Sequence, residues 1–210
     1  MYTSHMTGFA SQLADGMVLG NAKLLLNALG AILAFLSGAA VCAVLVNWAR
    51  QHRLHGVYAL PLLLEAALMF PFGLAGAITL TWSTPFAVPL TVLLLSFIMG
   101  LQNAVASKTS GGSTRTTHMT GNITDMGIEL GKMFYWNRQA ASTLLPVRYD
   151  RSRLRRCAGL VGMFVLGGAV GALGFKHVGF ICVVPLAVQL LALSIPPLLR
   201  DIPRRRTASS

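Results

Sequence analysis

From Leu24 onward the chain is laid out as long apolar runs separated by shorter polar intervals. A helix that crosses a bilayer needs roughly 20 consecutive apolar residues, because the hydrocarbon core is about 30 Å thick and each residue rises about 1.5 Å. Five runs reach that length: Leu24 to Trp48, Val57 to Leu80, Phe86 to Ala106, Cys157 to Phe175 and Val178 to Leu199. The pattern predicts an all-α polytopic bundle of five membrane-spanning helices. The first run is too long for a signal peptide and has no basic stretch before it. The polar interval from Ser107 to Gly131 becomes helix-compatible after Thr120.

Composition supports the membrane assignment. Of 210 residues 54% are hydrophobic and 11% charged, where a soluble domain carries about a quarter charged residues. The mean hydropathy is +0.64. Seventeen Lys and Arg against six Asp and Glu give a net charge of +11, and their placement explains it. Thirteen of the seventeen cluster as Arg50 and Arg53, as Lys132, Arg138, Arg148, Arg151, Arg153, Arg155 and Arg156, and as Arg200, Arg204, Arg205 and Arg206. The positive-inside rule puts these segments and the C-terminus in the cytoplasm, with the protein in a plasma (inner) membrane. Lys108 to Arg156 must then leave and re-enter on one side. An arginine-rich nucleic-acid motif is the other reading of Arg148 to Arg156, but juxtamembrane arginines are expected for topology alone, so no nucleic-acid partner is expected. Cys42, Cys157 and Cys182 form no spaced framework for a disulfide scaffold or a metal, and no cofactor is expected.

The chain also repeats itself. Thr3-Ser4-His5-Met6-Thr7-Gly8 recurs as Thr116-Thr117-His118-Met119-Thr120-Gly121. The next apolar run carries Gly38-Ala39 in one half and Gly168-Ala169 in the other. In the run after that, Pro61 precedes Glu65 by four residues as Pro185 precedes Gln189. The expectation is one integral membrane domain built of two units, residues 1–80 and 86–199, followed by a basic tail at 200–210. The second unit has an apolar run before its His-Met-Thr-Gly segment and the first has none. The expectation is a lost first helix or a start upstream of Met1. A unit of three spans is odd-numbered, so tandem copies insert in opposite orientations and form an inverted repeat.

Gly100-Leu101-Gln102-Asn103-Ala104, His118-Met119-Thr120-Gly121-Asn122 and the glycine-rich run after them resemble the YoaK-type small-permease-like family of bacterial membrane proteins, which carry a domain of unknown function. The likeness covers His5 to about Leu199. It implies six spans, with a first helix bearing Gly and Asp or Asn that is not found here, and Asn after the first His-Met-Thr-Gly where this chain has Phe9. It also implies a permease, without indicating a substrate.

Several polar residues fall where they can line a solute path: Glu65, Gln189, His5, Thr7, Gln102, Asn103, His118, Thr120, Asn122 and Asp125. An ionisable group inside a span is costly and usually faces the bundle interior. Glu65 therefore reads either as a proton- or cation-coupling group or as a hydrogen-bonded tie between helices. In the second case Glu65→Leu is expected to strand its partners. Pro61 and Pro71 flank it and predict a kinked helix. The His-Met-Thr-Gly segments read as broken, re-entrant backbone facing a path or as a surface loop leading into an amphipathic helix. His5 and His118 read as proton carriers or as packed, hydrogen-bonded side chains. Gly30, Ala34 and Gly38, and separately Gly167 and Gly171, form small-residue stripes that let helices approach closely, with a gate hinge as the other reading. No nucleophile–base pair or metal-ligand pattern appears, so an enzyme is not expected. Two functions stand: a small-solute permease, or a non-transporting scaffold or regulator in which these groups only tie helices together. Either would have the lipid bilayer as partner, the first a small solute as well, and both are compatible with a homo-oligomer.

Overall fold

A computed structural model of the chain describes residues 3–81, 87–110, 119–135 and 147–207. All regular structure among them is helical. The helices are α1 (Met6–Val18), α2 (Ala22–Gln51), α3 (Ala59–Thr81), α4 (Ala87–Thr109), α5 (Met119–Phe134), α6 (Arg151–Val178) and α7 (Val183–Thr207), with a 3-10 turn at Gly179–Cys182 between the last two. The chain divides into two compact units, Met1–Thr114 with Gly174–Ser210, and Arg115–Leu173.

In the first unit α2 packs along α4, α3 lies against both α4 and α7, and α1 lies on the start of α2. The corner between α1 and α2 follows from its residues. Gly20 takes φ +61, a conformation that favours glycine. Asn21 then caps α2 by accepting a hydrogen bond from the Leu24 amide at 3.2 Å. Phe9 closes the joint by packing on Ala28 and Ala31.

Glycines set the α2–α4 contact. A Cβ on Gly38 would collide with the Phe97 carbonyl, and one on Gly100 would collide with the Phe35 carbonyl. Each helix thus presents Phe-x-x-Gly, and each glycine receives the backbone of the other's phenylalanine. Between two apolar helices in lipid this close approach supplies the van der Waals contact that the hydrophobic effect cannot. Cys42, Val46 and Leu101 form the core beside the crossing, and Phe72, Ile98 and Val183 join α3, α4 and α7.

The stretches long and apolar enough to cross a membrane, among the described residues, are Ala22–Gln51, Leu90–Thr109 and Arg151–Asp201, with Ala59–Gly73 apolar but shorter. The 51 residues of Arg151–Asp201 would extend roughly 75 Å as one helix, far more than a bilayer core of about 30 Å. The 3-10 turn interrupts them, with Gly179 at φ +70. Many large apolar side chains on α2 point outward, Leu26, Leu33, Leu36 and Val44 among them. An apolar helix that buries so little of itself in protein is a lipid-facing helix.

Two local expectations change. α3 begins at Ala59, so Pro61 sits in its first turn, where the missing N–H would have had no intrahelical partner. Pro61 therefore does not break the helix beside Glu65, and only Pro71 is interior. At the other end of the chain, α6 starts six residues before the apolar run, because Asp150 caps it. The Asp150 carboxylate accepts from the amides of Ser152 and Arg153 at 2.8 and 3.1 Å and from the Ser152 hydroxyl at 2.8 Å. The arginines from Arg151 to Arg156 are thereby helical.

Candidate functional site

Glu65 is completely buried on α3, and neither carboxylate oxygen has a hydrogen-bond partner within the protein. Its neighbour Leu64 packs against the Cys42, Val46 and Leu101 core, and Ala66 is buried as well. Ser96 on α4 is likewise fully buried with an unpartnered hydroxyl. Burying an ionised carboxylate without partners costs several kcal/mol, about what opposes any unpaired charge in low dielectric.

The remaining path residues do not gather around it. Gln189, the sequence counterpart of Glu65, is exposed on α7, and Pro185 is exposed where Pro61 is buried. Gln102 is exposed on α4. Asn103 donates its side-chain amide to the Met99 carbonyl of its own helix at 2.9 Å. His5 and Thr7 are exposed at the start of α1, the ring of His5 lying against Gly8 and the carbonyl of Thr7 accepting from Ser11 at 3.1 Å. In the second unit the Thr120 carbonyl accepts from the Thr124 hydroxyl at 2.8 Å, and Asn122 keeps a buried, unpartnered Nδ2. Asp125 pairs with Arg153 at 3.0 Å. His118 lies outside the described residues.

The small-residue stripes divide. Gly38 sits in the tight crossing, and a Cβ on Gly30 would meet Leu93 at 3.0 Å. Gly167 and Gly171 do not pack against other helices as expected: among the described residues a Cβ on either would meet nothing within 4 Å. The reason is what surrounds them, since neighbouring Leu166 and Val170 are themselves mostly exposed.

Two polar clusters escape sequence reading. At one end of the first unit the Asp201 carboxylate accepts from the His55 amide at 3.0 Å, from His55 Nδ1 at 2.9 Å and from the Gly56 amide at 3.2 Å. Beside it the Tyr58 hydroxyl receives Arg50 at 3.2 Å and donates to the Lys108 carbonyl at 3.0 Å. In the second unit Glu129 is buried, with Lys132 at 2.8 Å and the Asp150 amide at 2.7 Å. Those donors, Lys132 first and then the Asp150 amide, hold the Glu129 carboxyl below the ordinary range. The Ser152 hydroxyl and the amides of Arg153 and Ser152 do the same for Asp150. For Asp201 and Asp150 an acid in a basic stretch was the available signal; the partner was not.

An apolar cavity of about 250 Å³ opens between α3, the 3-10 turn and α7, lined by Met69, Phe70, Gly73, Phe180, Ile181 and Val184. Among the described residues no three His, Cys, Asp or Glu side chains assemble as metal ligands.

Lipid-facing apolar helices around a buried, unpaired carboxyl define a helical integral membrane protein. The family model described as "Protein of unknown function (DUF1275)" matches residues 1–195, and the chain belongs to that family. This agrees with the resemblance carried by the paired His-Met-Thr-Gly segments. No curated protein and no solved structure matches the chain.

Proposed function

We propose that the protein is a small-solute permease in which Glu65 couples movement of a proton or cation to that of the solute. One observation carries this: a carboxyl group buried at the heart of a membrane bundle with neither oxygen satisfied. A structural acid would be tied to a donor, because an unpaired buried polar group costs about 1–3 kcal/mol. The expense is tolerable where the group must bind and release an ion. In this reading the basic segments face the cytoplasm and the protein resides in the inner membrane.

A scaffold or regulatory role is the second reading. It is favoured by the apolar lining of the cavity and by the inward turn of small polar side chains, as where Ser37 donates to Ala34 and Ser194 to Leu191 of their own helices. Proteoliposomes loaded with a pH-sensitive dye separate the two. Exposed in turn to a panel of small solutes, the wild type is expected to move protons with at least one of them, and Glu65→Gln with none while keeping its melting temperature. A wild type that is folded yet silent across the panel supports the scaffold. Equal responses from wild type and Glu65→Gln remove Glu65 from coupling.

A further inference from the structure

The second unit presents a surface that its described residues leave uncovered. Met119, Ile123, Met126, Leu130 and Met133 recur on α5 at spacings of four, three, four and three, which places them on one face. Most of that face is open: Ile123 is 57% exposed and Leu130 and Met133 are exposed too, Met119 and Met126 are half-buried, and Phe134, which extends the face, is 77% exposed. One flank of that face is fixed, because Asp125 is held by Arg153, and Glu129 by Lys132 and the Asp150 amide. The orientation of α5 within the unit is therefore set by its acids, and most of the apolar stripe is turned outward.

Charge identifies what covers it. Asp125, Glu129 and Asp150 are all engaged within the unit. Arg148, Arg151, Arg155 and Arg156 are exposed around the start of α6, and none forms an ion pair with a carboxylate among the described residues. A second copy would bring the same arginines against themselves. A nucleic acid would satisfy the arginines and leave the apolar stripe wet. A bilayer surface rich in anionic headgroups satisfies both, taking the stripe at the acyl boundary and the guanidinium groups at the phosphates.

We propose that α5 and the arginines from Arg148 to Arg156 form an interfacial element that docks on anionic phospholipid, so that the second unit responds to the charge of the surrounding membrane. The inference is independent of whether the protein transports a solute.

The test is hydrogen–deuterium exchange of the full-length protein in nanodiscs of phosphatidylcholine with and without phosphatidylglycerol. Each basic residue near an anionic surface strengthens docking about fivefold, so α5 amides are expected to exchange at least about tenfold more slowly with phosphatidylglycerol present. Added salt should shrink that difference as the Debye length shortens. Replacing Arg148, Arg151, Arg155 and Arg156 together by Gln should abolish it. Replacing the same four by Lys should preserve it, because a surface of phosphates reads charge. Exchange within α2 serves as the control for folding. Equal α5 exchange in both lipids overturns the proposal. So does protection that appears only in discs holding two copies, or a Lys variant that behaves like the Gln variant while α2 stays protected.

Discussion

Glu65 carries more of the argument than any other side chain, and the structure reverses one expectation about it. As a hydrogen-bonded tie, its replacement by leucine would strand a partner. Its oxygens have no partner, so nothing is stranded. Glu65→Leu is expected to raise the unfolding free energy in detergent by about 1–3 kcal/mol, the cost of an unsatisfied buried polar group, while removing any ion coupling. A lower melting temperature would show that Glu65 ties helices together after all. The burial of Glu65 was legible from its position inside an apolar run, since lipid tolerates no lone carboxylate. The exposure of Gln189 was not legible. It depends on what lies over that face of α7, which no pattern along α7 records.

At the scale of helices, the reciprocal fit of α2 and α4 was half legible. Gly38 belongs to a visible stripe, and Gly100 has Ser96 and Ala104 four residues to either side, but its importance comes from the Phe35 carbonyl on another helix, which no spacing along α4 records. Gly100→Ala and Gly38→Ala each drive a Cβ into backbone that cannot rotate aside. Each is expected to destabilise by about 1–3 kcal/mol from overpacking, against a gain of at most about 1 kcal/mol in helix propensity. Gly167→Ala, with open space around it, should cost nothing; thermal melts of the three variants check the order. The joint between α5 and α6 has a pH signature. Glu129 and Asp150 are held below their unfolded values of about 4. Their contribution is whole above that value and disappears as pH falls through the lowered folded ones. Amide protection at the start of α6 should therefore be flat from neutral pH down to about 5 and decline below about 4. Loss of protection near pH 6 would point to histidine instead. The early start of α6 was hidden because arginines beside an apolar run read as its flank, and a capping aspartate only shows itself once the helix is seen to begin there.

Over the molecule as a whole, the assignment to a membrane bundle was the most legible feature, because an apolar run of bilayer length is recognisable without knowing its neighbours. Asp201 was the least. It sits among arginines, and the His55 amide that it receives is 146 residues away. Asp201→Ala removes the acceptor for two backbone amides and for the His55 ring at the turn between α2 and α3. Trypsin is then expected to cut after Arg50 and Arg53 several-fold faster, with exchange in α4 unchanged; unchanged cleavage would reduce the clasp to a passive contact. That clasp also bears on how the protein is made. The first unit is interrupted in the chain by the second, so residues 115–173 emerge from the ribosome before α7 does. Until then the face of α3 that α7 will cover is served only by lipid or by the insertion machinery, and the amides at the turn by water. Biosynthesis thus leaves the first unit ajar through most of translation, and Asp201 is the latch that shuts it.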